Sequence, residues 1–311
     1  MLRRISETCR EIVKISGYVK INEKEAFAVA KKLKDLEYKH WLVRYKSRLL
    51  DYTVEEQVNF LLIYDSINFS YWGDPKWSVV AKNDEKYDGS FGLLEKLLDY
   101  YEDTKNLDFT KVSLEEFKKI LEGNIEIPLL EERYNILVEV SKIVNEKLNG
   151  NFYRYTKGIN SDIVLFKLII DMFKNFEDVR IIGGRRIYFY KLAQLLTSDI
   201  LHLKEYTEGI HIDISNLVGC SDYKIPQLLR GLNVLNYSNE LAALVDNKKV
   251  LGENSRFEAE IRANTIVAIE KIYDYLEGKF KKIEINDMLW DLAHDDTIQF
   301  KPYHLTRTTS Y

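Results

Sequence analysis

Apolar residues recur every three or four positions through most of this sequence, and only a helix gathers that spacing onto one face. After Pro128 the series Leu130, Tyr134, Leu137, Val138, Val144 and Leu148 keeps the period until Asn149 and Gly150 end it. Ser113 opens SLEEFKKILEG, where Glu116 completes a capping box, Leu114, Phe117, Ile120 and Leu121 form one stripe, and Gly123 supplies a stop. Residues 255–277 repeat the device, with Ser255 and Glu258 ahead of Ile261, Ile266, Ile269, Ile272, Tyr273 and Leu276. SDIVLFKLIIDMF, residues 161–173, is apolar on nearly every side and is expected to run through the middle of the core. Strand signals are few and local. In VRIIGGRRIYFY, Gly183 and Gly184 separate two β-prone arms and suit a two-residue turn with positive φ at both positions. KWSVVAKNDEKYDG is a second candidate hairpin, with Asn83 and Asp84 at its turn. The expected class is mainly α with small β-hairpins.

The 311 residues suffice to bury a sizeable core without disulfides, and no linker, charge run or repeat divides them, so one domain over 1–311 is expected. The 45 basic and 49 acidic residues leave a formal charge of −4, which disfavours a protein that grips the phosphates of a nucleic acid polymer. A single phosphate stays within reach. Cys9 and Cys220 show no metal-binding spacing and read as reduced thiols. Neither a signal peptide's apolar core nor a run of eighteen apolar residues occurs, so a cytoplasmic protein without membrane contact is expected, with a monomer favoured.

Familiar catalytic motifs are missing. The sequence contains no G-x-x-x-x-G-K-[ST], no G-x-G-x-x-G after a strand, no H-E-x-x-H and no G-x-S-x-G. The five histidines, at 40, 202, 211, 294 and 304, are scattered, and neither a metal nor another cofactor is expected. Attention falls on Asp222 in CSDYKIPQLLRGLNVL. Pro226 is tolerated only in a helix's first turn, so Asp222 lies in the approach to that helix or in its first residues. There it either caps backbone N–H groups or faces a cavity and does chemistry. With ISNLVG before it and Ile225, Leu228, Leu229, Leu232 and Leu235 after it, the stretch reads as a hairpin of helices with an acid at the mouth of the second. That arrangement resembles the helix-hairpin-helix DNA glycosylases.

Other candidates surround it. In INDMLWDLAHDD, Asn286, Asp287, Asp291, Asp295 and Asp296 flank Leu289 and Trp290. Asp287 and Asp291 are four apart and share a helical face, where like charges repel unless a cation lies between them; the alternatives are a solvated acidic face and a pocket for an amine or cation. Lys191 begins a helical stretch, where a phosphate would give it a partner. Glu258 and Arg262 read as a cap and an i, i+4 pair. In NFLLIYDSINFSYWGDPKW, Asp65, Asn68, Phe69, Tyr71 and Trp72 set polar groups among aromatics, as core packing or as a pocket for a planar heterocycle.

Together DSINFSYW, IPLLEERYNIL, FYKLAQLL, SDYKIPQLL, EAEIRANTI, MLWDLA and PYHLTRTTSY resemble the queuosine salvage protein family, the queuosine 5'-phosphate N-glycosidases. The resemblance runs in order from about residue 55 to 311, whereas the first 50 residues match poorly. It implies a fold similar to helical DNA glycosylases and hydrolysis of the N-glycosidic bond of queuosine 5'-monophosphate, releasing queuine. It implies Asp222 as the catalytic acid, Asp291 as an acid that binds the base, and Lys191 as the first candidate for the 5'-phosphate, ahead of Arg262, His304 and Arg307. Queuine's secondary amine is cationic at neutral pH, so carboxylates are its matching partners. The chain departs from the pattern in three ways. Asn286 and Asp287 stand where relatives carry an Asp and an aromatic, Cys220 stands where a phenylalanine meets the base, and a histidine of the family lacks a clear counterpart before Asp51. Base selection is therefore open. The competing expectations are a DNA base-excision glycosylase and a non-catalytic module that holds a modified nucleoside.

Overall fold

The computed structural model describes residues 1–295 and 300–311, so Asp296 lies outside the described residues. Helices dominate, and among the described residues the strands form three antiparallel ribbons of two. At the centre stands the helix Arg256–Tyr275, packed by the helices Leu2–Lys14, Glu23–Lys34 and Lys282–Leu292. Apolar side chains collect on both sides of it. One cluster gathers Phe60, Phe69, Phe166 and Leu196; the other gathers Ile225, Leu228, Ile269 and Leu289.

The capping boxes at Thr53 and Ser113 close as two reciprocal hydrogen bonds. At Ser255 only half the expected box forms. Its hydroxyl accepts the Glu258 N–H at 3.2 Å, but the Glu258 carboxylate turns inward to Arg180 and Arg262. The helix Leu130–Leu148 ends at Asn149 and Gly150, both with positive φ, as its sequence predicts. So does the ribbon Val179–Ile182 with Arg185–Tyr188, where Gly183 and Gly184 take φ of 57° and 78°. The ribbon Ser78–Val80 with Lys86–Asp88 also forms. A third, Val19–Ile21 with Leu235–Tyr237, escapes a local reading because 213 residues lie between the paired Ile21 and Leu235.

The segment 161–173 does not run through the middle of the core. Its helix Asp162–Met172 buries Leu165, Phe166 and Ile169, while Ile163 and Val164 are each 52 % exposed. The innermost helix is instead Arg256–Tyr275, which carries buried Glu258, Glu260, Arg262, Asn264 and Glu270 among its apolar residues. Hydrophobicity alone therefore misjudges depth, because these polar groups are matched inside. Glu260 accepts from Ser16 Oγ at 2.6 Å and from the Tyr18 N–H at 2.7 Å. Cys9 and Cys220 are both buried and unpaired. Among the described residues, no helix is long and apolar enough to cross a membrane.

Candidate active site

A cavity of about 700 Å³ opens between the helices Lys191–Glu208, Lys224–Gly231 and Lys282–Leu292. That volume suits a nucleotide-sized ligand. Asn68, Phe69, Lys191, Cys220, Asp222, Asn286, Asp287 and Asp291 all line it. Residues far apart in the chain thus converge on one space.

Asp222 both caps a helix and faces the cavity. Its Oδ1 accepts the N–H groups of Lys224 at 2.8 Å and Ile225 at 3.0 Å, capping the helix Lys224–Gly231, while the residue borders the cavity. Those two bonds fix the carboxylate's direction. Pro226 sits in the first helical turn, as expected, but residues 215–223 form no first helix, so the anticipated helical hairpin is an irregular loop followed by a short helix.

The loop is held by polar side chains. Gln194 donates to the Phe189 and Gly219 carbonyls, each at 2.9 Å, and accepts the Val218 N–H at 2.9 Å. Asn286 Oδ1 accepts the Cys220 N–H at 2.8 Å, so this departure from the family pattern positions backbone inside the site. Arg262 Nε donates to the Ser221 carbonyl at 2.8 Å. Gly219 has a φ of +115°, and a Cβ there would stand 3.0 Å from Ile269 Cδ1 and 3.3 Å from Asn286 Oδ1. Gly219→Ala is expected to cost roughly 1–3 kcal/mol of stability and to lower turnover more than tenfold, measured by urea unfolding and initial rates. Wild-type values in both would show that the loop tolerates the strain.

Arg262, His304 and Arg307 do not reach the cavity. Arg262 is buried against Asp178 and Glu258, His304 meets the Tyr311 hydroxyl at 3.3 Å, and Arg307 pairs with Glu132 on the surface. Lys191 does line it, with Nζ donating to the Asn68 carbonyl at 3.0 Å. Asn68 also accepts the Tyr71 hydroxyl at 3.0 Å, and Phe69 lies beneath the Arg133 guanidinium, 4.3 Å from its ring centroid. Of the aromatic stretch, Tyr71 joins the lining while Trp72 does not, and Asp65 lies behind it.

Asp287 and Asp291 do share the helix Lys282–Leu292, and they take different partners. Arg44 forms an ion pair with Asp291, whereas Asp287 accepts the Tyr38 hydroxyl at 2.8 Å. Burial pushes Asp287 up to about 7, the Tyr38 and Asn286 hydrogen bonds pull the other way, and Asp199 adds to the rise. Asp199 is likewise pushed up to about 7 by burial. Burial and the charge of Asp199 also hold the neighbouring Asp65 carboxyl well above the carboxylate range.

The N-terminal segment completes the wall. Trp41, Arg44 and Tyr45 line the cavity, and His40 Nε2 meets Asp199 Oδ1 at 3.0 Å while stacking on His202 at 4.5 Å. Burial lowers both imidazoles to about 3, leaving them neutral. The H-W pair at 40–41 was the available signal. Tyr64, Phe91, Trp290, Tyr303 and Tyr311 add aromatic surface from four further segments.

Fold and site together define a mainly helical protein with an aromatic pocket for a small molecule and a fixed carboxylate at its wall. A sequence profile of the queuosine salvage protein family matches residues 49–311, and the chain belongs to that family. It is similar to the queuosine 5'-phosphate N-glycosylase/hydrolase of Sphaerobacter thermophilus, 30 % identical over 266 residues, which spans 83 % of this chain and 82 % of that protein. The proteins of the same name from Bos taurus and Mus musculus are 32 % and 33 % identical, covering 83 % of this chain and 83 % and 82 % of their own lengths.

Proposed function

We propose that the chain hydrolyses the N-glycosidic bond of queuosine 5'-monophosphate, releasing queuine for salvage. The observation that carries this reading is the Asp222 carboxylate, fixed by two helix N–H groups at the wall of an aromatic cavity, in a member of this family. Departure of the base builds positive charge on the ribose ring. A carboxylate beneath the sugar stabilises that oxocarbenium-like state and can also orient the attacking water. Because Oδ1 already has its helix partners, its orientation is set before substrate arrives.

In this reading the base lies among Asn68, Phe69, Cys220, Asn286, Asp287 and Asp291, and Lys191 is the candidate for the 5'-phosphate. Two apolar clusters that share the helix Arg256–Tyr275 support one domain. The negative formal charge favours a mononucleotide over duplex DNA, in a cytoplasmic protein.

Purified protein incubated with queuosine 5'-monophosphate is expected to release queuine and ribose 5-phosphate, followed by chromatography. Intact nucleotide after prolonged incubation would reject the reading and favour a binding module. Turnover is expected to survive EDTA; loss restored by a divalent ion would overturn the metal-free chemistry.

A further inference from the structure

Six carboxylates among the described residues line the cavity; Asp88 is exposed, Asp295 has a partner of its own, and the other four are partnered unequally. Asp222 caps a helix, Asp291 is neutralised by Arg44, and Asp199 accepts from His40 and Trp41. Asp287 is held by neutral donors, the Tyr38 hydroxyl at 2.8 Å and the Asn286 side chain. The groups that act on it are Tyr38 and Arg44 from the N-terminal segment and Asp199 from the helix Lys191–Glu208, with Cys220 of the loop nearby. Glu284 and Asp291 share its own helix. Among the cations lining the cavity, Arg44 is committed to Asp291, and Lys191 donates to the Asn68 carbonyl.

We propose that Asp287, and not Asp291, is the counter-ion for an ammonium group on the ligand's base, so that this residue selects amine-bearing 7-deazaguanines over neutral ones. The identity of the ligand rests on the N-glycosidase reading; the preference for a cation rests on the unequal pairing. Arg44 and Asp291 form a neutral wall, and a second cation beside Asp291 would meet the guanidinium. Beside Asp287 it completes a charge pair that the protein leaves half built.

The choice carries a pH signature. Burial raises Asp287 to about 7, so below that pH the carboxyl is protonated and must release its proton to pair with an ammonium. Affinity for the amine therefore rises as pH climbs through 7 and then levels. Tyr38 donates to the ionised form, so removing its hydroxyl moves the midpoint upward.

The test is calorimetric binding of queuine and of unsubstituted 7-deazaguanine between pH 6 and 8. Wild type is expected to bind queuine at least about tenfold more tightly, with its Kd falling about tenfold across that range. Asp287→Asn is expected to abolish both the preference for queuine over 7-deazaguanine and the slope with pH. Asp291→Asn retains the preference, and Tyr38→Phe shifts the slope to higher pH. A preserved preference in Asp287→Asn, or its loss in Asp291→Asn alone, overturns the assignment. Folding is checked by thermal melting at pH 8, where Asp287→Asn should match or exceed wild type because no buried charge remains at that position. Binding is read without cleavage, so a protein that selects queuine yet leaves the nucleotide intact would fail as a glycosidase and keep this assignment.

Discussion

Replacing Asp222 with asparagine is expected to leave a folded protein that turns over queuosine 5'-monophosphate about a thousandfold or more slowly. The substitution separates the residue's two roles. Asparagine caps a helix about as well as aspartate, so the N–H groups of Lys224 and Ile225 keep an oxygen acceptor and the helix Lys224–Gly231 should stay in place. What disappears is the negative charge. Removing a single aimed electrostatic partner of a transition state typically costs about 10²–10³ in rate, and this one faces a full developing cation. Initial rates under saturating substrate, with urea unfolding as the fold control, decide the matter. Turnover within about tenfold of wild type would demote Asp222 to a cap. Asp222→Ala should lose as much activity and in addition about 1 kcal/mol of stability.

The second large effect is on folding. Arg262→Met is expected to lower the unfolding free energy by about 3–5 kcal/mol, because it strips the guanidinium from two buried acids. Asp178 accepts both Arg262 Nη1 at 2.9 Å and Nη2 at 2.6 Å, Glu258 lies 3.3 Å away, and all three side chains are buried. Arg180 touches the same acids and cannot replace the bidentate contact. The Phe189 and Tyr311 rings, 4.0 and 4.2 Å from the guanidinium carbon, close the two faces of the slot. Burial pushes Asp178 up, and Arg262 more than offsets that, leaving its carboxyl below the ordinary range. The sign follows: the pair's contribution is fully present above about pH 4 and is lost as pH falls through the depressed value. Asp178→Asn combined with Arg262→Met should recover part of the loss, since no uncompensated charge is then left inside. A single variant within 1 kcal/mol of wild type, about the worth of an exposed pair, would mean that Asp178 is relieved by water.

Much of this architecture can be read locally. Caps at Ser113 and Asn149, the glycine pair at 183–184 and the proline at 226 each fix a backbone conformation through chemistry within a few residues. The acids on the helix Lys282–Leu292 likewise follow from spacing. Partners do not. That Arg44 would neutralise Asp291, across 247 residues of chain, or that Gln194 and Arg262 would hold the loop ahead of Asp222, depends on tertiary contacts that no periodicity encodes. The misjudged depth of residues 161–173 has the same origin. Ile163 and Val164 stay exposed because the innermost position is taken by a helix whose charges are matched by distant groups. Cys220 and Asn286, departures on sequence grounds, acquire a role only once Asn286 is seen to hold the Cys220 N–H.

The most direct measurement is a crystal structure of the Asp222→Asn protein holding uncleaved queuosine 5'-monophosphate. The account predicts the ribose C1' within about 3–3.5 Å of the side chain at position 222, the distance a reacting centre requires, with the base directed toward residues 286–291. A sugar lying at the far side of the cavity, with the base or the phosphate against position 222 instead, would contradict it.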